Sequence, residues 1–262
     1  MTSTQEVAAL LARIAERYRS ISTYSDVGEQ VSVSIHGDGA WNRRTTKRRF
    51  RTLFARPASF LFECKEVGVG PEKGWMTWVA WQPKEEGASW TWGTITPTID
   101  GPQSLCESLS AIAGVCGGSS WPVGRLLGLY SDSVGFMPDP GTWRFAASEA
   151  LEGRVCRIVE GPTPLPGHFD RFWFQEETLL LRRIENRVVF GSELHEFTLD
   201  IKTKQLAGMS VDDPHYHVMA DSLELQKKHR LPDFVVESVT TWHPEVDVPI
   251  DPVAFEYDPA HS

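Results

Sequence analysis

The chain has 262 residues, of which 41% are hydrophobic and 11% aromatic, enough apolar side chain to bury a core in one large domain and to exclude disorder. Its formal charge of −9 argues against binding a phosphate backbone, which takes a net cationic face. No run approaches the roughly 20 apolar residues of a spanning helix, and Met1–Glu6 lacks the basic and apolar segments of an export signal. The expectation is a cytoplasmic protein if the sequence is complete, and a periplasmic or cell-envelope one if a leader has been removed.

Ser3 followed by Glu6 has the pattern of a capping box, and Val7, Leu10, Leu11, Ile14 and Tyr18 recur at helical spacing. Gln5, Arg13, Glu16 and Arg17 fall on the other face, which predicts an N-terminal amphipathic helix lying on an apolar surface. From Tyr24 the period becomes two, with Val27, Val31, Val33 and Ile35 on one side of a strand and Gln30, Ser32 and Ser34 on the other. After the turn Gly37-Asp38-Gly39, strands are predicted at Thr45–Phe54 and Ser59–Val67, where Phe50, Thr52, Phe54 and then Phe60, Phe62, Cys64 alternate along one face. The basic run Arg43, Arg44, Lys47, Arg48, Arg49 and Arg51 suits either a patch for anionic lipid or an acidic partner, or a solvated strand edge. The acidic whole favours the edge.

Trp75–Trp81 and Ala88–Thr94 read as a hairpin carrying Trp75, Trp78, Trp81, Trp90 and Trp92, an aromatic edge or lid contact that needs a cavity, a cover or a partner. Residues 97–140 depart from the strand pattern, and Ser104–Val115 and Pro122–Tyr130 have the content of two short helices crossing an open side of the sheet. Strands return at Thr142–Ser148, Val155–Glu160, Phe169–Gln175, Leu179–Val189 and Leu194–Lys202. A second insertion at 205–232 carries a helix over Val218–His229, and Phe234–Trp242 is the last strand. The whole, 1–262, reads as a single mainly β (α+β) domain built on one long antiparallel sheet.

Chemistry is sparse. In Asp212-Asp213-Pro214-His215-Tyr216-His217 the histidines of an extended H-x-H face the same way, which makes His215 and His217 the metal-ligand candidates. Asp212, His229 and His243 supply only scattered further donors, so an exposed polar loop is the default and no metal is expected. Gly117-Gly118-Ser119-Ser120-Trp121 fails as a nucleophile elbow because Trp121 stands where the second glycine belongs. Glu85-Glu86 and Glu176-Glu177 are adjacent acids that point apart. Cys64, Cys106, Cys116 and Cys156 form no C-x-x-C; a Cys106–Cys116 pair across a short loop stays open beside buried free thiols. No phosphate-binding glycine loop occurs, so no cofactor and no catalytic residue are expected.

A twisted sheet that only partly closes leaves a groove lined by alternate side chains. Phe50, Phe54, Phe60, Phe62, Phe172 and Phe174 are the candidates for that lining, and they suit an ordinary core equally well.

The helix followed by Ile21-Ser22-Thr23-Tyr24-Ser25-Asp26-Val27-Gly28, then Phe50-Arg51-Thr52-Leu53-Phe54-Ala55-Arg56-Pro57 with Phe60-Leu61-Phe62-Glu63, resembles the outer-membrane lipoprotein carrier (LolA-like) superfamily. Val246-Asp247-Val248-Pro249-Ile250 with Val253-Ala254-Phe255-Glu256-Tyr257 is similar to its closing segment, and the bacterial DUF2092-type members are the most alike. The resemblance covers residues 4 to about 67 and 142 to 258. It implies an incomplete, strongly curved antiparallel β-barrel of about eleven strands with helices over the mouth. It also implies a protein without catalysis that holds an acyl chain or a lipid-modified partner. Three functions stand as expectations: binding or carriage of a hydrophobic ligand (lipid, acyl chain or lipoprotein) on the concave face, a regulatory or structural protein-interaction module with a filled core, and a metal-dependent hydrolase around Asp212, His215 and His217.

Overall fold

The computed structural model describes residues 3–36, 43–67, 77–83, 88–92, 98–130, 140–163, 165–212, 216–228 and 233–257. Helix α1 (Ser3–Ser20) opens the chain. It is followed by β1 (Thr23–His36), β2 (Arg43–Ala55), β3 (Ser59–Val67), β4 (Thr77–Gln82), β5 (Ala88–Trp92) and β6 (Thr98–Gln103). Helices α2 (Leu105–Val115) and α3 (Trp121–Leu126) come next, then β7 (Arg144–Phe145), β8 (Glu149–Leu151), β9 (Arg154–Pro162), β10 (His168–Gln175) and β11 (Leu181–Phe190). The chain continues through α4 (Ser192–Gly208) and α5 (Tyr216–Lys228) to β12 (Phe234–Trp242) and β13 (Glu245–Val246).

The thirteen strands form one sheet, eleven of them in the order β6-β5-β4-β3-β2-β1-β12-β11-β10-β9-β7, with β13 beside β1 and β8 beside β9. Every pairing is antiparallel, and among the described residues β6 and β7 do not pair with each other, so the sheet stays open. The fold is thus mainly β, a half-barrel with helices across its concave side.

Directly opposed residues share a face of the sheet, so the register sorts the concave side into rows. Tyr24, Phe54 and Phe60 form one row; Asp26, Thr52, Phe62 and Ala80 the next; Trp242, Gly28, Phe50, Cys64 and Trp78 the third. In β1 the valines therefore face outward, with Val27 59% exposed, while Tyr24, Asp26 and Gln30 turn in and are buried. Gly28 is required by close approach, since a Cβ there would fall inside van der Waals contact of the Phe50 ring.

Helix α1 buries Val7, Leu10, Ile14 and Tyr18 in the same cluster as these rows, all 3% exposed or less, each burial contributing roughly 2 kcal/mol before chain entropy is counted. The far end of α1 is capped by Arg56, whose Nε and Nη2 donate to the Ile21 and Tyr18 carbonyls at 2.8 and 3.2 Å. Asp247 fastens the C-terminal segment there, accepting from the Ser22 amide at 3.0 Å and pairing with Arg17 at 3.3 Å. On the outer face Trp81 meets Tyr257, ring centroids 4.9 Å apart, and Phe255 is buried with Leu61.

Two predicted features are corrected. Leu194–Lys202 is not a strand but lies in α4, because Leu194, Phe197 and Ile201 recur three and four residues apart after the break at Gly191. The helical segment therefore starts at Ser192, and α4 and α5 are linked by the Lys202 Nζ–Ser222 Oγ bond of 3.1 Å. The basic run lies on β2, which has β1 and β3 on either side and is not an edge. Its cations are met by cross-strand acids: Lys47 and Arg49 by Glu29 at 2.7 and 3.4 Å, and Arg51 by Glu63 at 2.8 Å.

Candidate functional site on the concave face

The apolar rows of the concave face are covered by α1, by Leu109, Ile112 and Cys116 of α2 and its cap, and by Val123, Leu126 and Leu127 in and after α3, all in one cluster. Helix α2 starts with a capping box, the Ser104 hydroxyl accepting from the Glu107 amide while the Glu107 carboxylate accepts from the Ser104 amide at 2.8 Å. It ends at Cys116, and the left-handed Gly117 and Gly118 (φ 67° and 81°) turn the chain back, with the Gly118 amide donating to Ala113 O at 2.9 Å.

Further along the strands the face becomes polar. Gln30 Nε2 donates to Gly117 O at 2.8 Å and to Thr240 Oγ1 at 3.2 Å, while Gln30 Oε1 accepts from Arg48 Nη1 at 3.1 Å. Arg48 also pairs with Glu66 at 3.3 Å, with side-chain exposures of 15% and 8%. On β10–β12, Asn186 Nδ2 donates to Asp170 Oδ1 at 2.7 Å and Ser238 Oγ donates to Asn186 Oδ1 at 3.2 Å, with His168 Nε2 2.8 Å from Asp170. At the strand tips His36, Phe234 and Phe190 stack, with centroids 4.8 and 4.2 Å apart.

Several groups have shifted acidity under the cover, Tyr18 and Tyr24 being raised by burial. Asp26 accepts from the Tyr24 hydroxyl at 2.6 Å; burial pushes its carboxyl up to about 7, against hydrogen bonds from Tyr24 and Thr52 that pull it down. The Cys116 thiol is buried, which alone would raise its pKa, yet its polar neighbours Cys64, Ser119 and Ser120 outweigh that and bring it down to about 6. Cys64 is pushed up by the neighbouring Cys116 and by its own burial.

Phe50, Phe54, Phe60, Phe62, Phe172 and Phe174 are brought together in this one cluster, none more than 5% exposed. Their rings touch: Phe50 lies 5.8 Å from both Phe62 and Trp242, and Phe172 lies 6.2 Å from Phe174. Of two described cavities, one reaches this cluster through Leu10 and Phe174 and the other lies on the outer face. A notch of about 180 Å³ beside α1 is lined by Leu10, Arg13, Arg157, Phe174, Glu176 and Leu179. A groove of about 380 Å³ on the outer face involves Val31, Val33, Phe169, Arg171, Arg187 and Glu237 among others.

The tryptophans do not make one edge. Trp78 is in the core and Trp81 faces outward, because residues an odd number of positions apart on a strand point to opposite faces. Trp75 and the side chains of Trp90 and Trp92 lie outside the described residues. So do His215 and His229. His217 is exposed in the first turn of α5 beside Tyr216, where a helix replaces the extended geometry of the H-x-H reading. Among the described residues no three His, Cys, Asp or Glu are placed to hold a metal ion, and no helix is long and apolar enough to cross a membrane. Sequence reasoning missed the contacts of Gln30, Arg48 and Glu66, since each joins segments distant in the chain.

Fold and site together define an open antiparallel half-barrel whose apolar concave face is shielded by helices. No family model and no curated protein matches the chain. Among solved structures it is similar to a DUF1329 family protein from Desulfovibrio piger, with 11% identity, 98% of each chain covered and a TM-score of 0.34. A putative outer membrane lipoprotein-sorting protein domain from Vibrio parahaemolyticus has 7% identity over 96% of this chain and 97% of that one, TM-score 0.33. A LolA superfamily protein from Nitrosomonas europaea has 8% identity over 98% and 99%, TM-score 0.28. The architecture itself rests on the strand pairing of this chain.

Proposed function

We propose that the protein binds or carries a hydrophobic ligand, a lipid, an acyl chain or a lipid-modified protein, on the concave face of the sheet, and that it does so without catalysis. The observation that carries this reading is how the apolar rows are closed: by α1, α2 and α3, and not by strands. Helices that leave the sheet's hydrogen bonds untouched can shift without breaking a ladder, and the rows beneath them then offer apolar surface to an acyl chain. The polar contacts from Gln30 to Gly117 and from Arg48 to Gln30 stand at the margin of that cover, where it meets the sheet.

Native mass spectrometry of the purified chain, with organic extraction and lipid analysis of what travels with it, tests the proposal. A stoichiometric acyl lipid is expected, or a thermal stabilisation by added fatty acid or lipopeptide that grows with concentration. A clean apo mass with no such stabilisation overturns it. That result would favour a protein-interaction module, a reading supported by the close packing of the phenylalanines and by the outer-face groove, where Phe169 is 38% exposed.

A further inference from the structure

The notch beside α1 has an apolar floor and a charged rim. Helix α1 supplies Leu10 and Arg13, which stand one turn apart and are neighbours on the helix surface. The sheet supplies Arg157 and Phe174, directly opposed across β9 and β10, and the turn after β10 supplies Glu176 and Leu179. Leu10 and Phe174 are buried members of the large apolar cluster, and Leu179 packs against it. Leu179 has a φ of 61°, a left-handed backbone that glycine usually takes, in a turn closed by its amide donating to Gln175 O at 2.8 Å. A leucine there accepts strain and sets an apolar side chain at the notch. At the rim, Arg157 Nε and Nη2 both reach Glu176 Oε1, at 3.0 and 2.9 Å. Among the described residues Arg13 has no ion-pair partner, so two guanidiniums face one carboxylate.

We propose that this notch is the head-group end of the ligand site: it takes the carboxylate of a fatty acid between Arg13 and Arg157, with the first carbons of the chain on Leu10, Phe174 and Leu179. The inference rests on the reading of the concave face as a ligand site and narrows the ligand to an acidic amphiphile. A guanidinium fork takes a carboxylate through two parallel N–H···O bonds. One negative charge balances the single excess cation of the rim, whereas a phosphate dianion exceeds it. A cavity of about 150 Å³ holds a benzene-sized molecule, so a notch of this size takes about six carbons. A longer chain continues past Leu10 and Phe174 beneath α1, onto the rows of phenylalanines.

The test is isothermal titration calorimetry of the full chain at pH 8 with dodecanoate and with 1-dodecanol, which share a chain length and differ in the head. Dodecanoate should bind roughly tenfold tighter, and more weakly as salt is added. Arg13 and Glu176 are exposed, so both can be replaced without disturbing the core. Arg13→Gln should cut the preference for acid over alcohol about fivefold. Glu176→Gln, which removes the carboxylate competing for Arg157, should raise that preference severalfold. Equal affinity for acid and alcohol, or an acid preference that Arg13→Gln leaves intact, overturns the head-group site while apolar carriage stands. A preference that Glu176→Gln fails to raise overturns the part given to Arg157. Binding of neither compound overturns both the head-group site and the carriage of acyl chains.

Discussion

The side-chain amide of Gln30 donates a 2.8 Å hydrogen bond to the carbonyl oxygen of Gly117. It joins the middle of the first strand to the loop that ends α2, and Arg48 holds the Gln30 carbonyl in place from the neighbouring strand at 3.1 Å. The contact needs Gly117 for two reasons: its φ of 67° is left-handed, and a Cβ there would press on Gln30 Oε1 and stand 2.6 Å from Arg48 Nη1. Gly117→Ala should therefore cost about 1–2 kcal/mol in urea unfolding and speed amide exchange in α2 while leaving β1 protected. Unchanged exchange in α2 would show that this loop does not fasten the cover.

Arg48 and Glu66 form a largely buried ion pair at 3.3 Å. Glu66→Ala leaves the largely buried Arg48 guanidinium without its counter-charge and should cost about 3 kcal/mol. The double variant Arg48→Met with Glu66→Leu, which removes both charges at similar volume, should recover a substantial part of that loss. Urea midpoints at constant slope decide it; a double variant less stable than Glu66→Ala would count against the pair as a buried-charge problem.

Asp26 makes stability depend on pH in the direction opposite to an ordinary surface acid. Its carboxyl is raised from 3.8 to about 7 in the fold, so between these values the folded chain binds more protons than the unfolded one. The stability it confers is full below about pH 4, falls as pH rises, and is gone above about 7, a change on the order of 4 kcal/mol. Glu29, Glu63, Glu160 and Asp247 are all lowered and lose their contribution at acid pH instead. Chemical denaturation of the protein and of Asp26→Asn from pH 5 to 8 should show the difference shifting toward the variant as pH rises. A constant difference would mean that Asp26 titrates normally.

Phe62 is 1% exposed and stacked on Phe50. If its row is a packed core, Phe62→Ala should cost about 3–5 kcal/mol, as removal of a buried ring does. Phe169→Ala, on the outer face, should cost under about 1 kcal/mol. A small loss at Phe62, together with unchanged far-UV circular dichroism, would indicate space beneath the cover.

Much of the architecture was legible in residue order. The period of two along Tyr24–Val67 and Phe169–Val189, and the helical spacing of Val7, Leu10, Ile14 and Tyr18, predict elements that are present, because local periodicity is set by which side chains one surface must bury. Periodicity failed at Leu194–Lys202, where apolar residues satisfy both spacings and the break at Gly191 decides for a helix. It was silent on which face of β1 turns inward, since the valines look like the natural core. The register with β2 and β12 turns Asp26 and Gln30 in and gives them Thr52, Arg48 and Thr240 as partners.

The sequence by itself determined a long antiparallel sheet with an N-terminal helix and helices inserted along one side, while its openness was only what the family resemblance implied. Only the tertiary structure decided that Gln30 reaches Gly117 at the end of α2, that Trp78 and Trp81 part to opposite faces against different neighbours, and that the basic run of β2 lies inside the sheet opposite its acids. The physical reason is that these are cross-strand and helix-to-sheet contacts. They depend on register and on where a helix lands, and neither is encoded in the spacing of neighbouring residues.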